Sequence, residues 1–447
     1  MKNTFFYLIV VFAVMFTSCL GTQSDGLSDN PDITTFTVSN VDKAINLSKI
    51  KYNFKEIDKN NSIITPKDSL PYGTKTDSLI VSVSGARLSS IRIFESKDGV
   101  KQKEFDGSDN QPDTVNFTDT VYIETVSQNK KVTKYYKVKL FAHKQDPELY
   151  IWTGIQTNAV SQNITQEKVI LNNTTMMWYI KDNNNVNVYT SDNGTVWKMN
   201  PLTNFPNGVD LKYMLKAKDS IYVAQNTNLY SSKDGLVWKQ RSTAQSIDNL
   251  LFELGGSLYA IKNSSSKLYN LSNNNWVEVS ISTPSKVLPD NFPVSGAGIW
   301  SDFSSNGVPR VYIVGGQDKN GTLLNTIWAS ENGYYWVNLG NNSNLFTPRK
   351  DVMVLQYDGK LMLIGGRDNS GVVNTNFHIF SADYGISWAI PASNMMISSL
   401  FTPRYNGQVV VRKDKKIIYL VGGQAYNGTF IKDVWTGVKN GLLWELK

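Results

Sequence analysis

The sequence has few of the residues on which redox and metal chemistry depend. Its 447 residues include one cysteine, Cys19, and two histidines, His143 and His378. A single cysteine forms no intrachain disulfide and provides no multi-thiolate metal site. Two histidines that lie far apart in the sequence argue against a histidine-based catalytic triad or metal centre. We see no phosphate-binding glycine loop. We therefore expect neither a cofactor nor a metal.

The sequence also has no apolar run of the roughly 20 residues that a membrane-spanning helix needs. The run Phe5–Phe16 is shorter; it follows Lys2 and precedes Thr17, Ser18 and Cys19. A basic start, a short apolar run and small residues are typical of a secretory signal. Cys19 lies where a bacterial lipoprotein signal places the thiol that receives lipid, although Phe16 replaces the commoner leucine. We predict a signal peptide at residues 1–18 and a lipid-anchored tether at residues 19–31. A plain secretory signal with an incidental cysteine is the alternative.

Basic residues are not concentrated in any segment. The formal net charge is +7, and the lysines and arginines are scattered along the chain. Nucleic-acid-binding proteins usually carry a basic stripe or arm. We therefore predict a mildly basic surface and no nucleic-acid partner, and we expect the lipid anchor to make the membrane a partner.

Residues 32–145 show short alternating segments and no helical periodicity. Examples are ITTFTVS, SLIVSVS, DTVYIETVS and KYYKVKLFA, which are rich in β-branched and aromatic residues. Turn-forming residues separate these segments, as expected for successive β-strands. About 110 residues of such strands predict an immunoglobulin-like β-sandwich.

Tryptophan marks a repeat in the remaining residues, and this repeat is the strongest pattern in the sequence. An aromatic residue precedes each repeated tryptophan by seven to nine positions, and an apolar segment lies further upstream. Each unit predicts four antiparallel strands, which is typical of a propeller blade. We predict an all-β chain with a six-bladed propeller at residues 146–447. An additional strand at residues 149–155 either closes the ring or extends an edge. The repeated tryptophans are Trp197, Trp238, Trp276, Trp336, Trp388 and Trp444.

The last three repeats are similar to Kelch repeats, because Gly315-Gly316, Gly365-Gly366 and Gly422-Gly423 end their second strands. Two segments of the N-terminal part are more specific: IDKNNSIITPKDSLPYGTKTDSL (57–79) and YYKVKLFAHKQDPELYIW (135–152). Through these segments, the lipoprotein signal and the C-terminal propeller, the chain resembles the Bacteroidetes lipoproteins that contain domain of unknown function 6242. The resemblance implies an address and an architecture, and it implies no activity.

One segment raises the question of sugar cleavage. FSADYGISW, at Phe380–Trp388, matches the Ser-x-Asp-x-Gly-x-x-Trp pattern called an Asp-box, which is known from sialidases and other propellers. SDNGTVW, SKDGLVW, SENGYYW and KNGLLW recur at equivalent positions. Aspartate, asparagine and glycine suit tight turns. We interpret the Asp-box as a hairpin that joins the last two strands of a blade, on the face opposite to the expected ligand.

Known propeller active sites do not fit the sequence. A sialidase needs three arginines around one carboxylate, a tyrosine nucleophile with a glutamate, and an acid; the first repeat contains no arginine. A galactose-oxidase-like copper site needs a cysteine-crosslinked tyrosine and two histidines. The predicted propeller contains only His378, which we interpret as a structural strand residue. We therefore predict no catalytic residues. Carboxylate-based glycosidase or lyase chemistry stays open because acidic residues are plentiful.

A polar set of residues indicates a binding surface. In a propeller, the loops after the second strands and the loops between blades share one face, here called the upper face. Amides, charges and aromatic rings on that face suit a glycan or a protein partner. The alternative for Arg349 and Arg404 is that these repeated arginines brace neighbouring blades. The predicted ligand-binding residues are Gln317, Asp318, Arg349, Arg367, Asp368, Arg404, Gln424 and Tyr426.

A short triplet, Asp-Ser/Thr-aliphatic, occurs five times, where composition predicts about one or two. It resembles the O-glycosylation signal of Bacteroidetes periplasmic proteins. The alternative is ordinary strand-start chemistry. The predicted acceptors are Ser69, Ser78, Thr114, Thr120 and Ser220.

These patterns together favour a non-enzymatic outer-membrane lipoprotein, facing either the periplasm or the exterior. We expect the sandwich to act as a spacer and the propeller to bind a glycan or an envelope protein on its upper face. Two alternatives are a propeller enzyme that acts on carbohydrate and a structural subunit of an envelope complex.

Overall fold

The computed structural model describes residues 26–42, 45–107, 114–183, 185–225, 227–262, 266–340, 346–371, 378–381 and 383–440. The predicted signal peptide and Cys19 lie outside these residues. The chain divides into two compact units, Met1–Asp146 and Pro147–Lys447. Strands make up nearly all the regular structure that is described, and two 3₁₀ turns lie at Leu211–Tyr213 and Ser393–Met395. Within the described ranges, no helix is long and apolar enough to cross a membrane.

The described residues of the first unit form two β-sheets. One has three strands in the order β1-β4-β7, and the other has six strands in the order β2-β3-β9-β8-β5-β6. All pairs are antiparallel except β3 and β9, which run parallel. The strands are β1 (Ile33–Asn40), β2 (Tyr52–Asp58), β3 (Asn61–Pro66), β4 (Leu79–Gly85), β5 (Leu88–Lys97), β6 (Val100–Asp106), β7 (Thr114–Val115), β8 (Thr120–Ser127) and β9 (Thr133–Val138).

One apolar core is shared by these two sheets. Strand β8 alternates strictly between half-buried and buried positions, as a strand with one face on a core requires. Its Val121 and Ile123 belong to the same cluster as Phe36 of β1 and Leu79 of β4. The alternating segments of the sequence therefore form a two-layer β structure.

The second unit contains six separate sheets among the described residues, named I to VI here in chain order. Sheets I to IV have four antiparallel strands each, and three strands of sheet V are described. Sheets I to III comprise β11 (Gln166–Asn172), β12 (Thr175–Asp182), β13 (Asn185–Ser191) and β14 (Lys198–Asn200); β15 (Leu215–Ala217), β16 (Ser220–Gln225), β17 (Asn228–Ser232) and β18 (Lys239–Ser242); and β19 (Asn249–Leu254), β20 (Ser257–Lys262), β21 (Lys267–Ser272) and β22 (Asn275–Glu278).

Sheet VI is assembled from both ends of the second unit. Its order is β10-β32-β31-β30, so the first strand of the unit forms the outer edge beside the last. The additional strand of the sequence, β10 (Tyr150–Gln156), thus pairs antiparallel with β32. The predicted outer strand at Trp444 lies outside the described residues. Sheets IV to VI comprise β23 (Gly298–Phe303), β24 (Pro309–Val314), β25 (Ile327–Ser330) and β26 (Val337–Asn338); β27 (Met353–Tyr357), β28 (Lys360–Ile364) and β29 (His378–Ser381); and β30 (Gln408–Arg412), β31 (Ile417–Val421) and β32 (Val434–Lys439) with β10.

Apolar cores join the sheets in a closed cycle, because each sheet shares a core with the next and sheet VI shares one with sheet I. The second strands are apolar at successive positions, as in Leu361–Ile364 of β28. This pattern is expected of a strand that is covered on both faces. Residues of the six shared cores are Val188 and Val223, Leu229 and Leu258, Leu268 and Ile313, Val314 and Leu363, Met362 and Leu420, and Val421 and Trp178.

Candidate functional site

The Asp-box hairpin is a closed network of local hydrogen bonds. The Ser381 hydroxyl accepts the Gly385 N–H at 2.7 Å and donates to Asp383 Oδ1 at 2.7 Å. The Trp388 indole donates to the Gly385 carbonyl at 3.1 Å. Hydrogen bonds from the hydroxyl and N–H of Ser387 lower the pKa of Asp383 to about 2. The polar atoms of the motif form these hydrogen bonds within the turn, so the motif stabilises the hairpin.

The equivalent hairpin of sheet II shows what its glycine contributes. Gly235 has a φ of +78°, and a Cβ there would lie 2.4 Å from Met177 Sδ of sheet I. The Tyr179 hydroxyl of the same sheet donates to the Gly235 carbonyl at 2.8 Å. The buried Trp238 indole N–H has no hydrogen-bond partner among the described residues. The hairpin is thus docked on the preceding sheet, which assigns it a structural role.

Arg404 is a bracing residue. Its side chain has 0% exposure. Its Nε donates to the Thr402 carbonyl at 2.9 Å and its Nη1 to the Gly422 carbonyl at 2.8 Å. Both carboxylate oxygens of Asp433 accept from the guanidinium, one of them at 2.9 Å. The Arg404 carbonyl in turn accepts from the Gly366 N–H of sheet V at 3.1 Å. The residue therefore links two sheets beneath the surface.

Arg349 has the same position one sheet earlier. Its side chain is 4% exposed and donates to the carbonyls of Thr347 and Gly365 at 3.0 and 3.3 Å. Burial lowers its pKa to about 10. The Arg349 carbonyl accepts from the Gly316 N–H of sheet IV at 2.8 Å. A side chain with almost no exposed area does not reach a surface ligand, so both arginines leave the candidate binding set and take the bracing role.

The paired glycines exist because these backbones approach closely. A Cβ on Gly365 would lie 2.2 Å from the Arg404 carbonyl oxygen, and one on Gly315 would lie 2.7 Å from the Arg349 carbonyl oxygen. Both glycines have positive φ, +67° and +62°. A residue with a side chain at either position would push neighbouring sheets apart.

The loop after β24 is held in shape by its own polar side chains. Gln317 Nε2 donates to the Gly321 carbonyl at 2.7 Å, and its Oε1 accepts from Lys350 Nζ at 2.9 Å. Asp318 Oδ1 accepts the N–H groups of Asn320 and Thr322, both at 2.8 Å. These contacts order the loop and leave the rest of its surface open to solvent.

The loop after β28 places a cation beside the first loop. Arg367 Nε lies 2.9 Å from Asp351 Oδ2, and its guanidinium lies 4.4 Å from the centroid of the Tyr405 ring. Asp368 Oδ1 accepts from both the N–H and the hydroxyl of Ser370. A cavity of about 290 Å³ is lined by residues of both loops, among them Gln317, Arg367 and Asp368. These three predicted residues therefore lie together.

The loop after β31 completes the set on sheet VI. Gln424 Oε1 accepts from Asn406 Nδ2 at 2.9 Å, and Gln424 Nε2 donates to the Gly428 carbonyl at 3.3 Å. Tyr426 is 79% exposed. Gln424 and Tyr426 do not line the cavity that joins the first two loops. We call the three loops, residues 315–326, 365–371 and 422–433, the upper loops.

A central channel of about 380 Å³ runs beside the upper loops and was not predicted from the sequence. Its lining comes from all six sheets, chiefly from their innermost strands. Three polar residues line the channel where short β-bridges join its wall to the upper loops. Ser295 lies in one of these bridges, and Asp351 and Asn406 each directly follow one. The other charged or phenolic lining residues are Lys168, Lys212, Tyr213, Lys216 and Glu253. The described residues contain no group of three or more histidine, cysteine, aspartate or glutamate side chains placed to hold a metal.

Four of the five Asp-Ser/Thr-aliphatic triplets lie at or beside strand starts, and Leu70 of the fifth forms an isolated β-bridge with Ala142. Each aliphatic residue is buried at 2% exposure or less, as for Leu79 and Val121. The Ser78 hydroxyl donates to Asp77 and the Ser220 hydroxyl to Asp219. Ser220 is 7% exposed, whereas the predicted acceptors Ser69, Ser78, Thr114 and Thr120 are half-buried. Strand starts are a structural reason for four of the triplets, and glycosylation stays a prediction.

Comparison with known proteins addresses the architecture. No curated protein matches the sequence. The solved structure of YjhT aligns with 62% of this chain and 95% of its own, at 11% identity and a TM-score of 0.46. Two family models match in succession: the DUF6242 N-terminal domain at residues 27–140 and the DUF6242 beta propeller domain at residues 146–447. The chain therefore belongs to the DUF6242 family, with an N-terminal domain of unknown function followed by a β-propeller.

Proposed function

We propose that this protein is a non-enzymatic, lipid-anchored protein of the cell envelope whose propeller binds a glycan at its upper loops. In this proposal the six sheets are the blades of a Kelch-like propeller, and β10 closes the ring by pairing with β32. The N-terminal unit is an immunoglobulin-like spacer between this propeller and Cys19, which carries the lipid. In the same proposal, the protein lies at the outer membrane.

The observation that carries the proposal is the polar surface of the upper loops. Gln317, Arg367 and Asp368 line one small cavity, and the exposed ring of Tyr426 lies on the neighbouring loop. Amide, cationic and carboxylate groups recognise hydroxyls through hydrogen bonds, and an exposed aromatic ring packs on an apolar sugar face. A cavity of about 290 Å³ suits a sugar unit, whereas a protein partner needs a larger and flatter patch.

A glycan panel tests this proposal on the purified full chain. We expect at least one glycan to be retained and recovered unchanged. Tyr426→Ala should weaken its retention, because the variant removes an aromatic ring that is 79% exposed. Arg367→Met should weaken it further, because the guanidinium borders the cavity.

Tyr335→Ala is the matched control. Tyr335 is 59% exposed on the hairpin between β25 and β26, at the other end of β25 from the upper loops. The control should bind as the unmodified protein does. Release of cleaved or rearranged sugar would replace the proposal by carbohydrate-active enzyme chemistry. Failure of every glycan to bind, with an envelope protein co-purifying instead, would replace it by a protein partner or a structural subunit.

A further inference from the structure

The central channel carries more positive charge than its carboxylates can balance. Lys168 of β11, Lys212 of the 3₁₀ turn and Lys216 of β15 all line it. Among the described residues, no carboxylate oxygen lies within the 4.0 Å that defines an ion pair with any of these three ammonium groups. Lys168 and Lys216 are half-buried and Lys212 is exposed at the channel, and a partly buried cation without a counter-charge is costly. The channel therefore has an excess of positive charge that a bound anion would neutralise.

The two carboxylates that line the channel already have partners. Asp351 Oδ2 accepts from Arg367 Nε at 2.9 Å. Glu253 Oε1 accepts the Gly256 N–H in the turn that follows β19, and burial raises the pKa of Glu253. Neither carboxylate lies within ion-pair distance of a channel lysine, and Asp351 acts on Lys212 only at longer range. The lining residues that β23 and β30 contribute are uncharged, so no further counter-charge comes from those two sheets.

The lysines keep most of their hydrogen-bonding capacity. Lys168 Nζ donates to the Lys212 carbonyl at 3.2 Å, and Lys216 Nζ donates to the Leu171 carbonyl at 3.2 Å. Lys212 Nζ lies 4.8 Å from the centroid of the Tyr213 ring. An ammonium group has three donors, so each has at least one N–H to offer a ligand in the channel.

The pKa values agree with this arrangement. Burial lowers the pKa of Lys168 to about 8, against a smaller opposing effect of Asp210. Burial also lowers the pKa of Lys216. For Lys212, burial acts to lower the pKa, but Tyr213, Asp210 and Asp351 outweigh it and the pKa is raised. Lys168 and Lys212 are therefore mainly protonated at neutral pH, and a protonated lysine forms charge-assisted hydrogen bonds with an anion.

We propose that the central channel is a binding site for a small hydroxylated anion, a carboxylate or phosphate ester of monosaccharide size, held by Lys168 and Lys212. The channel volume of about 380 Å³ falls within the range of small-molecule sites. Asn406 and Gln408 of the adjoining sheet VI and Ser295, which precedes β23 of sheet IV, also line the channel and bring amide and hydroxyl groups to the ligand's hydroxyls. This site depends on the channel alone, and it does not require the upper loops to bind a glycan.

Isothermal titration of the purified full chain with three probes tests the proposal. Glucuronate carries a carboxylate, glucose 6-phosphate carries a phosphate, and glucose is the neutral control of the same size. At least one of the anions should bind while glucose does not. Binding of one anion or of both supports the proposal and identifies the preferred charged group. Failure of both anions to bind, or equal binding of glucose, overturns it.

Two variants locate the binding. Lys168→Met and Lys212→Met should each weaken the anion by about 10- to 100-fold, the usual effect of losing a charge-assisted hydrogen bond. Lys198→Met is the control, because Lys198 lies on the outer strand β14 of the same sheet as Lys168. Methionine replaces a poorly compensated cation, so we expect both channel variants to fold, and circular dichroism checks this. Unchanged anion affinity in the two folded channel variants would overturn the proposal.

Discussion

Gly235 offers a direct test of how the hairpins hold successive sheets together. Substitution by alanine introduces two separate costs. The first is conformational, because φ at this residue is +78°. The second is steric, because the new Cβ would lie 2.4 Å from Met177 Sδ and 2.6 Å from the Tyr179 hydroxyl. We therefore expect Gly235→Ala to reduce the free energy of unfolding by more than its backbone strain alone.

The magnitude follows from the two costs. A left-handed conformation costs a residue with a side chain about 1–2 kcal/mol, and overpacking a core costs about 1–3 kcal/mol. Gly307 is the matched control, because its φ is +76° and a Cβ on it would have no other atom within 4 Å among the described residues. Gly307→Ala should therefore lose about 1–2 kcal/mol and Gly235→Ala about 2–5 kcal/mol.

Urea unfolding of the full chain, followed by tryptophan fluorescence, measures this difference. Both variants should unfold at lower urea concentrations than the unmodified protein, and Gly235→Ala at the lowest. Gly333→Ala repeats the test in sheet IV, where the new Cβ would lie 2.6 Å from Tyr259. Equal losses in Gly235→Ala and Gly307→Ala would refute the idea that the hairpin glycines are required by contact with the preceding sheet.

Three further predictions concern buried charges and the anchor. Burial raises the pKa of Glu167 to about 8, so its stabilising contribution is complete below about pH 4.5 and is lost as the pH rises through 8; Glu167→Gln should flatten this decline in urea unfolding between pH 5 and pH 9. Arg404→Met leaves the largely buried Asp433 without its guanidinium and should cost about 3–5 kcal/mol in the same assay, with partial recovery in Arg404→Met/Asp433→Asn. Cys19→Ser should move the protein from the membrane fraction to the soluble fraction in a cell fractionation, and unchanged membrane association would refute lipidation.

The sequence repeat predicted most strands of the propeller, because local packing fixes the positions of the aromatic residues within each unit. Tyr189, Tyr230 and Trp328 lie on the third strands of their sheets, as their spacing from the next tryptophan predicts. The partner of β10 could not be predicted, because Ile151 pairs with Val438 almost 300 residues away. A repeat pattern carries no information about a strand that lies outside the repeat.

The candidate site was harder to predict than the fold. The sequence around Arg349 and Arg404 does not tell a buried bracing arginine from an exposed binding arginine, and only the structure shows that both are buried. Their recurrence after Thr-Pro was the one signal for a bracing role. Lys168 lies on an ordinary alternating strand, so its sequence does not show that its side chain lines a central channel. Channel residues come from six distant segments, which no local pattern connects.

Hydrogen–deuterium exchange with a retained glycan tests the central claim most directly, because it reports which face of the propeller the ligand covers. The account predicts slower exchange at residues 317–321, 366–371 and 424–428 when the glycan is added. It predicts no change in the hairpins at residues 191–197, 232–238 and 330–336, which lie at the opposite ends of their strands. Protection confined to those hairpins, or to residues 27–140, would contradict the claim that the upper loops form the binding site.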